Sequence, residues 1–261
     1  MFATSISGLS VATREIGIIS DNIANVGTNG FKKNLGQFED VYQRATADSD
    51  NLTIGSGARM SGTRQVHSQG ALKTTNTVTD IAIAGDGMFV VRAPNSEDGL
   101  RYTRNGSFGV DEAGNLVTKQ GLAVLNDVGE PIVIPHSARQ PNNVTATLSE
   151  LEIDPQGQIF ATYGGTERLK IATLGMVRVN DPSDIERTGT GYYQQSGDGG
   201  LPTFGTAGTD GFGTTESGFL EVANVDLTQE LTALIRAQQV YSGSAKALQT
   251  IGEMDSVLID R

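Results

Sequence analysis

The sequence predicts a mainly β protein with paired terminal α-helices. Helical periodicity of apolar residues occurs at the two ends of the chain, over residues 2–26 and 227–258. Between these ends, short apolar segments alternate with turns rich in Gly, Asn, Asp and Pro, a pattern typical of an all-β domain. With 261 residues, the chain is long enough to bury a core.

The N-terminal helix is predicted from a heptad repeat of apolar and small residues. Its two core series are Phe2, Leu9, Ile16 and Ile23, and Ser5, Ala12, Ile19 and Val26. A seven-residue repeat keeps one face of a helix apolar, so the seam extends over about seven turns. We interpret this seam as a surface that packs against another helix.

The C-terminal helix has a comparable seam and a defined start. Its core positions are Leu227, Leu231, Leu234, Tyr241, Ala245 and Leu248. Asp226, followed three residues later by Gln229, predicts an N-terminal capping pair. Because a lone helix with so narrow a seam is marginal in water, we expect the two helices to pair and to become ordered on assembly. Two surface helices of an ordinary domain are the alternative interpretation.

The centre of the chain predicts short strands joined by tight turns. The candidate strands are residues 81–84, 88–92, 116–118, 132–134, 151–153 and 170–179. Within residues 110–116 and 153–159, an Asp is followed three residues later by a Gly. This spacing predicts a hairpin in which the carboxylate accepts hydrogen bonds from the following amides and the glycine is left-handed. A calcium loop would need further oxygen ligands after the Asp, and these are missing.

The sequence offers little for catalysis, cofactors or metals. It has no Cys, and its two histidines, His67 and His136, have no partner at metal-ligand spacing. The segment Gly85-Asp-Gly87 lacks the third glycine and the following helix of a dinucleotide-binding loop, so it indicates a turn between two strands. We therefore predict that the protein is not an enzyme and has no cofactor and no metal site.

Charge and hydropathy argue against two classes of partner. The net charge of −11 disfavours nucleic acid, because phosphate binding needs clustered Lys and Arg. No run approaches the roughly 20 apolar residues that span a bilayer, so we predict no membrane insertion.

Residues 1–26 lack the apolar core of a secretory signal, since Arg14, Glu15 and Asp21 interrupt it. Export, if it occurs, should need no cleaved signal peptide.

The most specific stretch is residues 20–33, where the first helix is expected to end. Asn22 and Asn25 are polar residues near that end, and Gly27 and Gly30 are predicted helix terminators. Phe31, followed by Lys32, can anchor the chain where it turns away. This stretch closely resembles the signature of the bacterial flagellar rod and hook proteins. Segments similar to the same family follow at residues 70–76, 80–89, 102–108, 114–117 and 218–225, so the resemblance spans nearly the whole chain.

The resemblance implies an architecture and a function. The terminal helices would form a coiled-coil-like inner domain, followed by an extended arm and an outer irregular β domain. The implied boundaries are 1–33 for the N-terminal helix, 34–75 for the arm, 76–219 for the β domain and 220–261 for the C-terminal helix. The implied function is that of a structural subunit of the flagellar basal-body rod, which polymerises helically into the axial drive shaft that transmits torque for motility.

The resemblance also implies partners and a location. The partners would be copies of the chain, other flagellar rod and hook subunits, the ring proteins that surround the rod, and the flagellar export apparatus. The location would be the basal body, in the part of the rod that spans the periplasm.

Several alternatives follow from the same sequence. The total length and residues 66–70 are most similar to distal rod subunits, whereas residues 1–9 are more similar to hook proteins. A flagellar hook subunit and a proximal rod subunit are therefore alternatives within the family. Outside it, the acidic turns and the β-rich centre allow a secreted β protein that binds or hydrolyses polysaccharide.

Overall fold

A computed structural model of the chain contains a helix near each end and β-strands between them. It describes residues 2–44, 53–93, 99–139, 145–165, 167–179, 185–189, 191–196, 202–209 and 211–259. The helices are α1 (Phe2–Ala24) and α2 (Leu227–Ile259). The strands are β1 (Asn34–Arg44), β2 (Thr53–Gln65), β3 (Leu72–Thr74), β4 (Ile81–Ala84), β5 (Met88–Arg92), β6 (Leu100–Thr103), β7 (Phe108–Val110), β8 (Leu116–Thr118), β9 (Ala123–Val124), β10 (Ser137–Arg139), β11 (Thr145–Ile153), β12 (Gln158–Tyr163), β13 (Glu167–Thr173), β14 (Met176–Arg178), β15 (Ile185–Gly189), β16 (Tyr192–Gln195), β17 (Thr203–Gly205), β18 (Thr214–Ser217) and β19 (Phe219–Glu221). The predicted class, mainly β with two terminal helices, is confirmed.

The chain divides into two units. The first unit contains Met1–Val26, Lys32–His67 and Val225–Arg261. The second contains Gly27–Phe31 and Ser68–Asn224. Both helices and the hairpin of β1 and β2 therefore belong to the first unit, and the remaining strands belong to the second.

The two helices of the first unit run antiparallel. Near the end of α1, Asn22 hydrogen-bonds Glu230 in the first turn of α2. Near the start of α1, Gly8 lies against Ser244, which is about halfway along α2. The start of α2 follows the predicted cap, because the Asp226 carboxylate accepts hydrogen bonds from the backbone N–H groups of Thr228 and Gln229.

A β-hairpin packs beside α1 in the first unit. Strand β1 pairs antiparallel with β2, and the register shifts twice along the ladder. Gly57 lies directly against the Ser7 hydroxyl, and Gly36 lies beside Ile18, so the hairpin backbone comes close to the helix. The extended arm implied for residues 34–75 is not confirmed, because the described part of this segment is mainly this hairpin.

The second unit is built from antiparallel sheets. Its largest sheet has the strand order β15-β16-β6-β5-β9-β8-β7, and β14 joins it by pairing with both β5 and β17. A four-stranded sheet has the order β10-β11-β12-β13. Two further ladders join distant parts of the sequence, since β18 pairs with β4 and β19 pairs with β3.

The core of the second unit lies on both faces of β5. Phe89 and Val91 belong to the larger apolar cluster, whereas Met88 and Val90 belong to a smaller one. Since successive side chains of a strand point to opposite faces, this continuous apolar run is buried on both sides. Phe89 also packs edge-to-face against Phe108, with ring centroids 5.1 Å apart.

The two predicted Asp–Gly hairpins are confirmed. Gly114 and Gly157 have φ values of 87° and 74°. The Asp111 carboxylate accepts a hydrogen bond from the Asn115 backbone N–H at 2.7 Å, and Asp154 accepts one from the Gln158 N–H at 2.8 Å. These turns close the β7–β8 and β11–β12 pairs.

Three predicted strands differ from the structure. Residues 151–153 are only the last part of the longer strand β11. Residues 132–134 form no strand. Val133 and the preceding Pro131 make only isolated bridges, and Ile132 and Ile134 are buried. The apolar run there indicated burial rather than strand pairing. Residues 170–179 are split between β13 and β14. In the break, Gly175 lies so close to Asn126 that a β-carbon would be 2.3 Å from the Asn126 carbonyl oxygen.

Candidate assembly surface

The interior of the helix pair is made largely of small and polar side chains. The buried residues of α1 are Ala12, Ile19 and Asn22, and those of α2 include Glu230 and Ala237. At Gly8, a β-carbon would lie 3.0 Å from the Ser244 hydroxyl oxygen, so the two helix backbones approach closely there. Alanine and glycine at such positions leave little apolar area to hold the pair together.

The predicted seam residues fall into three groups in the structure. Ile19 is buried. The half-buried residues are Leu9, Ile16, Ile23, Leu234 and Leu248. The exposed residues are Phe2, Leu227, Leu231 and Tyr241. The single apolar seam predicted along each helix is therefore only partly used inside this chain, and the role of all ten residues in assembly stays a prediction.

An exposed apolar ridge lies on the first half of α2. The α2 ridge consists of Leu227, Leu231 and Ile235, which are 44%, 45% and 56% exposed. Their spacing of four residues places them along one side of the helix. On α1, Phe2 and Ile6 have the same spacing and are also exposed. Aligned apolar side chains of this kind are typical of surfaces that another protein covers.

A polar junction joins the last turn of α1, the start of β1 and the first turn of α2. It consists of Asn22, Lys33, Asn34 and Glu230, of which Asn22 and Glu230 are 1% and 2% exposed. The Asn22 side-chain amide donates to the Asn34 carbonyl oxygen at 2.9 Å and to the Glu230 carboxylate at 3.0 Å. The Asn22 side-chain oxygen accepts a hydrogen bond from the Asn34 backbone N–H at 2.9 Å.

The charge in the polar junction is paired. The Lys33 ammonium lies 2.5 Å from the second oxygen of the Glu230 carboxylate. The buried carboxylate therefore has both a cation and an amide donor, as a buried charge requires. Asp21 extends the network at the surface, where its carboxylate accepts hydrogen bonds from the side chains of Asn25 and Asn34.

The remaining motif residues lie in a turn after α1. Because α1 ends at Ala24, Gly30 is not its terminator as predicted; it has a φ of 70° in a later turn. Its backbone N–H donates to the Glu221 carbonyl oxygen at 2.8 Å. Phe31 and Lys32 are both buried, and the Arg187 guanidinium lies 4.8 Å from the centroid of the Phe31 ring.

A buried ion pair in the second unit was missed by the sequence analysis. Arg104 pairs with Glu221 at 3.3 Å and donates to the Gly85 carbonyl oxygen at 2.7 Å. Glu221 also accepts a hydrogen bond from the Gly70 backbone N–H at 2.9 Å. Burial lowers the pKa of the Arg104 guanidinium, and the Glu221 carboxylate opposes this shift. Both charged residues lie inside segments that resemble the flagellar rod and hook proteins. That resemblance is the sequence feature that could have drawn attention to them.

The described residues show no metal-binding chemistry. No group of three or more His, Asp or Glu side chains among them could hold a metal ion. Within the described part of the chain, neither helix is long and apolar enough to cross a membrane.

Comparison with known proteins gives matches along most of the chain. Three family models match: the flagella basal body rod protein over residues 2–32, the flagellar hook protein FlgE/F/G D1 domain over residues 82–161, and the flagellar basal body rod FlgEFG protein C-terminal over residues 216–261.

Individual relatives match over almost their full length. The flagellar basal-body rod protein FlgG of Buchnera aphidicola subsp. Schizaphis graminum is 32% identical, covering 95% of this chain and 94% of the relative. FlgG of Bacillus subtilis is 32% identical over 98% and 97%. The flagellar basal-body rod protein FlgF of Caulobacter vibrioides is 30% identical over 95% and 91%. The chain therefore belongs to the family of bacterial flagellar hook and basal-body rod proteins.

Proposed function

We propose that the chain is a structural subunit of the flagellar basal-body rod and polymerises helically through its terminal helices. The α2 ridge is the observation that carries this proposal, because its three aligned apolar side chains are exposed. Relatives aligned over nearly their whole length are named rod proteins, which favours the rod over the hook.

Finer features of the proposal come from the family resemblance. The terminal helices would form the inner, coiled-coil-like part of the polymer and the β-rich residues 76–219 its outer part. The neighbours would be copies of the chain and other rod and hook subunits, with ring proteins around them. The subunit would reach the basal body through the flagellar export apparatus without a cleaved signal peptide, and would have no catalytic role.

The symmetry of such a polymer requires two different surfaces on each subunit. A heterologous contact that does not close into a ring produces an open helical filament. The exposed α2 ridge and the exposed apolar pair Phe2 and Ile6 on α1 supply two candidate surfaces. A polysaccharide-binding or hydrolysing protein would leave both surfaces without a role.

Substitution in the α2 ridge tests the proposal. Leu231→Asp should prevent polymerisation, because a carboxylate buried without a partner costs several kcal/mol in each subunit contact. The matched control is Thr232→Asp, which introduces the same charge at the next position, also exposed. Polymer would be measured by sedimentation and electron microscopy of concentrated protein, and retained helix content by circular dichroism. Normal filaments from Leu231→Asp would show that the α2 ridge is not part of the contact between subunits.

A further inference from the structure

A polar cleft of about 310 Å³ lies within the second unit. Four stretches of the chain form its walls: the turn at residue 127, the turn that leads into β12, the end of β13, and the loop at residues 206–209. Pockets that hold small molecules begin at about 300 Å³. The cleft is therefore large enough for a ligand of the size of a sugar ring.

Backbone hydrogen bonds and close packing fix the shape of the polar cleft. The Asp127 N–H donates to the Thr173 carbonyl oxygen at 3.2 Å, and the Leu174 N–H donates to the Gly157 carbonyl oxygen at 2.8 Å. A β-carbon on Gly157 would lie 3.4 Å from the β-carbons of both Leu174 and Ala207, which are buried. Because backbone contacts hold these walls in place, a ligand can enter without the cost of ordering them.

The polar cleft is lined by side chains that have no partner within the protein. They include those of Asp127, Gln156, Gln158 and Lys170. In the part of the chain that the structure describes, the carboxylate, the two carboxamides and the ammonium form no hydrogen bond or ion pair. The neighbouring Asp154 carboxylate, by contrast, accepts hydrogen bonds from two backbone N–H groups. The four lining groups therefore keep their hydrogen-bonding capacity for a ligand.

The mixture of lining groups restricts the chemistry of that ligand. The Asp127 carboxylate repels an anion, and the Lys170 ammonium repels a cation. The carboxamides and the hydroxyls of Thr173 and Thr206 each both donate and accept hydrogen bonds. A neutral molecule with several hydroxyl groups matches this lining, because each of its hydroxyls can also donate and accept.

We propose that the polar cleft binds a neutral, hydroxyl-rich ligand, namely a saccharide. None of the described residues in the lining is aromatic, so the sugar ring has no side chain to stack on and its dissociation constant is about millimolar. This binding site is additional to the structural role proposed above and does not depend on polymerisation.

Saturation-transfer NMR on the full chain tests the proposal, with glucose and maltotriose as probes. Sugar signals should saturate with concentration. Equal affinity for the two probes would indicate a free sugar as ligand, and tighter binding of maltotriose would indicate a glycan chain. Inorganic phosphate and glycine, which are charged, should not displace either probe. Absence of a saturable sugar signal, or displacement by phosphate or glycine, would overturn the proposal.

Variants of the lining locate the bound sugar. Gln158→Ala and Lys170→Met should each weaken sugar binding about three- to tenfold, the effect of one lost hydrogen bond. The matched controls, Gln194→Ala and Lys119→Met, change the same residue types at exposed positions outside the lining and should leave binding unchanged. Circular dichroism would show that all four variants are folded. Equal binding by lining variants and controls would mean that the sugar associates with another part of the surface, and the proposal would be wrong.

Discussion

Replacing Gly30 by alanine should destabilise the second unit by more than backbone strain alone. Gly30 has a φ of 70°, a conformation that costs a non-glycine residue about 1–2 kcal/mol. A β-carbon there would also lie 2.7 Å from the Asn105 backbone nitrogen and 2.8 Å from the Arg104 carbonyl carbon. Backbone atoms cannot rotate away, so overpacking adds about 1–3 kcal/mol. The expected total is about 2–5 kcal/mol, and Gly30→Val should be worse.

A second glycine separates the two contributions. Gly121 has a φ of 79°, and a β-carbon there would meet nothing within 4 Å, so Gly121→Ala introduces strain without a clash. Urea unfolding of both variants would be followed by near-ultraviolet circular dichroism of tyrosines, since Tyr102, Tyr163 and Tyr192 are buried in the second unit. Equal losses of unfolding free energy in the two variants would refute the close approach of Gly30 to the Arg104 backbone.

Three further predictions follow from the structure. Glu221→Gln should lower the unfolding free energy by about 3–5 kcal/mol, because Arg104 is left buried without its counter-charge. In urea titrations, the double variant with Arg104→Met should lose less unfolding free energy than the two single variants together. Hydrogen bonds from Asn115 lower the pKa of the Asp111 carboxyl below its ordinary 3.8. Asp111→Asn should therefore reduce stability at neutral pH, and the difference should vanish as the pH falls through the lowered folded pKa; a difference that persists in acid would contradict this. Residues 47–53 lie outside the described residues except for Thr53. Their deletion should give filaments that still assemble but bend more in electron micrographs. Straight, rigid filaments would instead show that the β-rich part determines the stiffness.

The deletion shortens the segment 43–65, where we expect contacts between neighbouring subunits to determine the stiffness of the polymer. Asp48 and Asp50 lie outside the described residues, while Arg59 pairs with Glu39 across the β1–β2 hairpin. An exposed pair of this kind contributes only about 0–1 kcal/mol, so any effect on a filament must come from repetition in many subunits. We expect the hairpin to bridge neighbouring subunits, with contacts that weaken as salt is added.

The sequence predicted those strands and turns whose conformation depends on residues close to one another in the chain. The strands β4, β5 and β8 have the predicted bounds, and the turns at Gly114 and Gly157 have the predicted left-handed conformation. In each turn an Asp side chain satisfies backbone amides within four residues, so no distant partner is needed. The same reasoning located the start of α2 at Asp226.

The β1–β2 hairpin could not be predicted in the same way. Strand β2 contains three glycines, at positions 55, 57 and 62, and lacks the regular alternation of apolar and polar residues that indicates a strand. Gly57 and Gly36 instead let the hairpin backbone approach α1 at Ser7 and Ile18. That requirement is tertiary, because it depends on which helix face the hairpin meets.

The polar junction shows why helix periodicity alone is incomplete. An acidic residue in the first turn of a helix is ordinarily explained by the helix dipole and expected at the surface, and Glu230 occupies such a position. An Asn two residues before a helix end is likewise expected to face water. The two side chains are 208 positions apart in sequence, and they hydrogen-bond each other where both are buried. Apolar periodicity predicts that the helices pair, whereas the end at which they are held depends on polar residues that break the pattern.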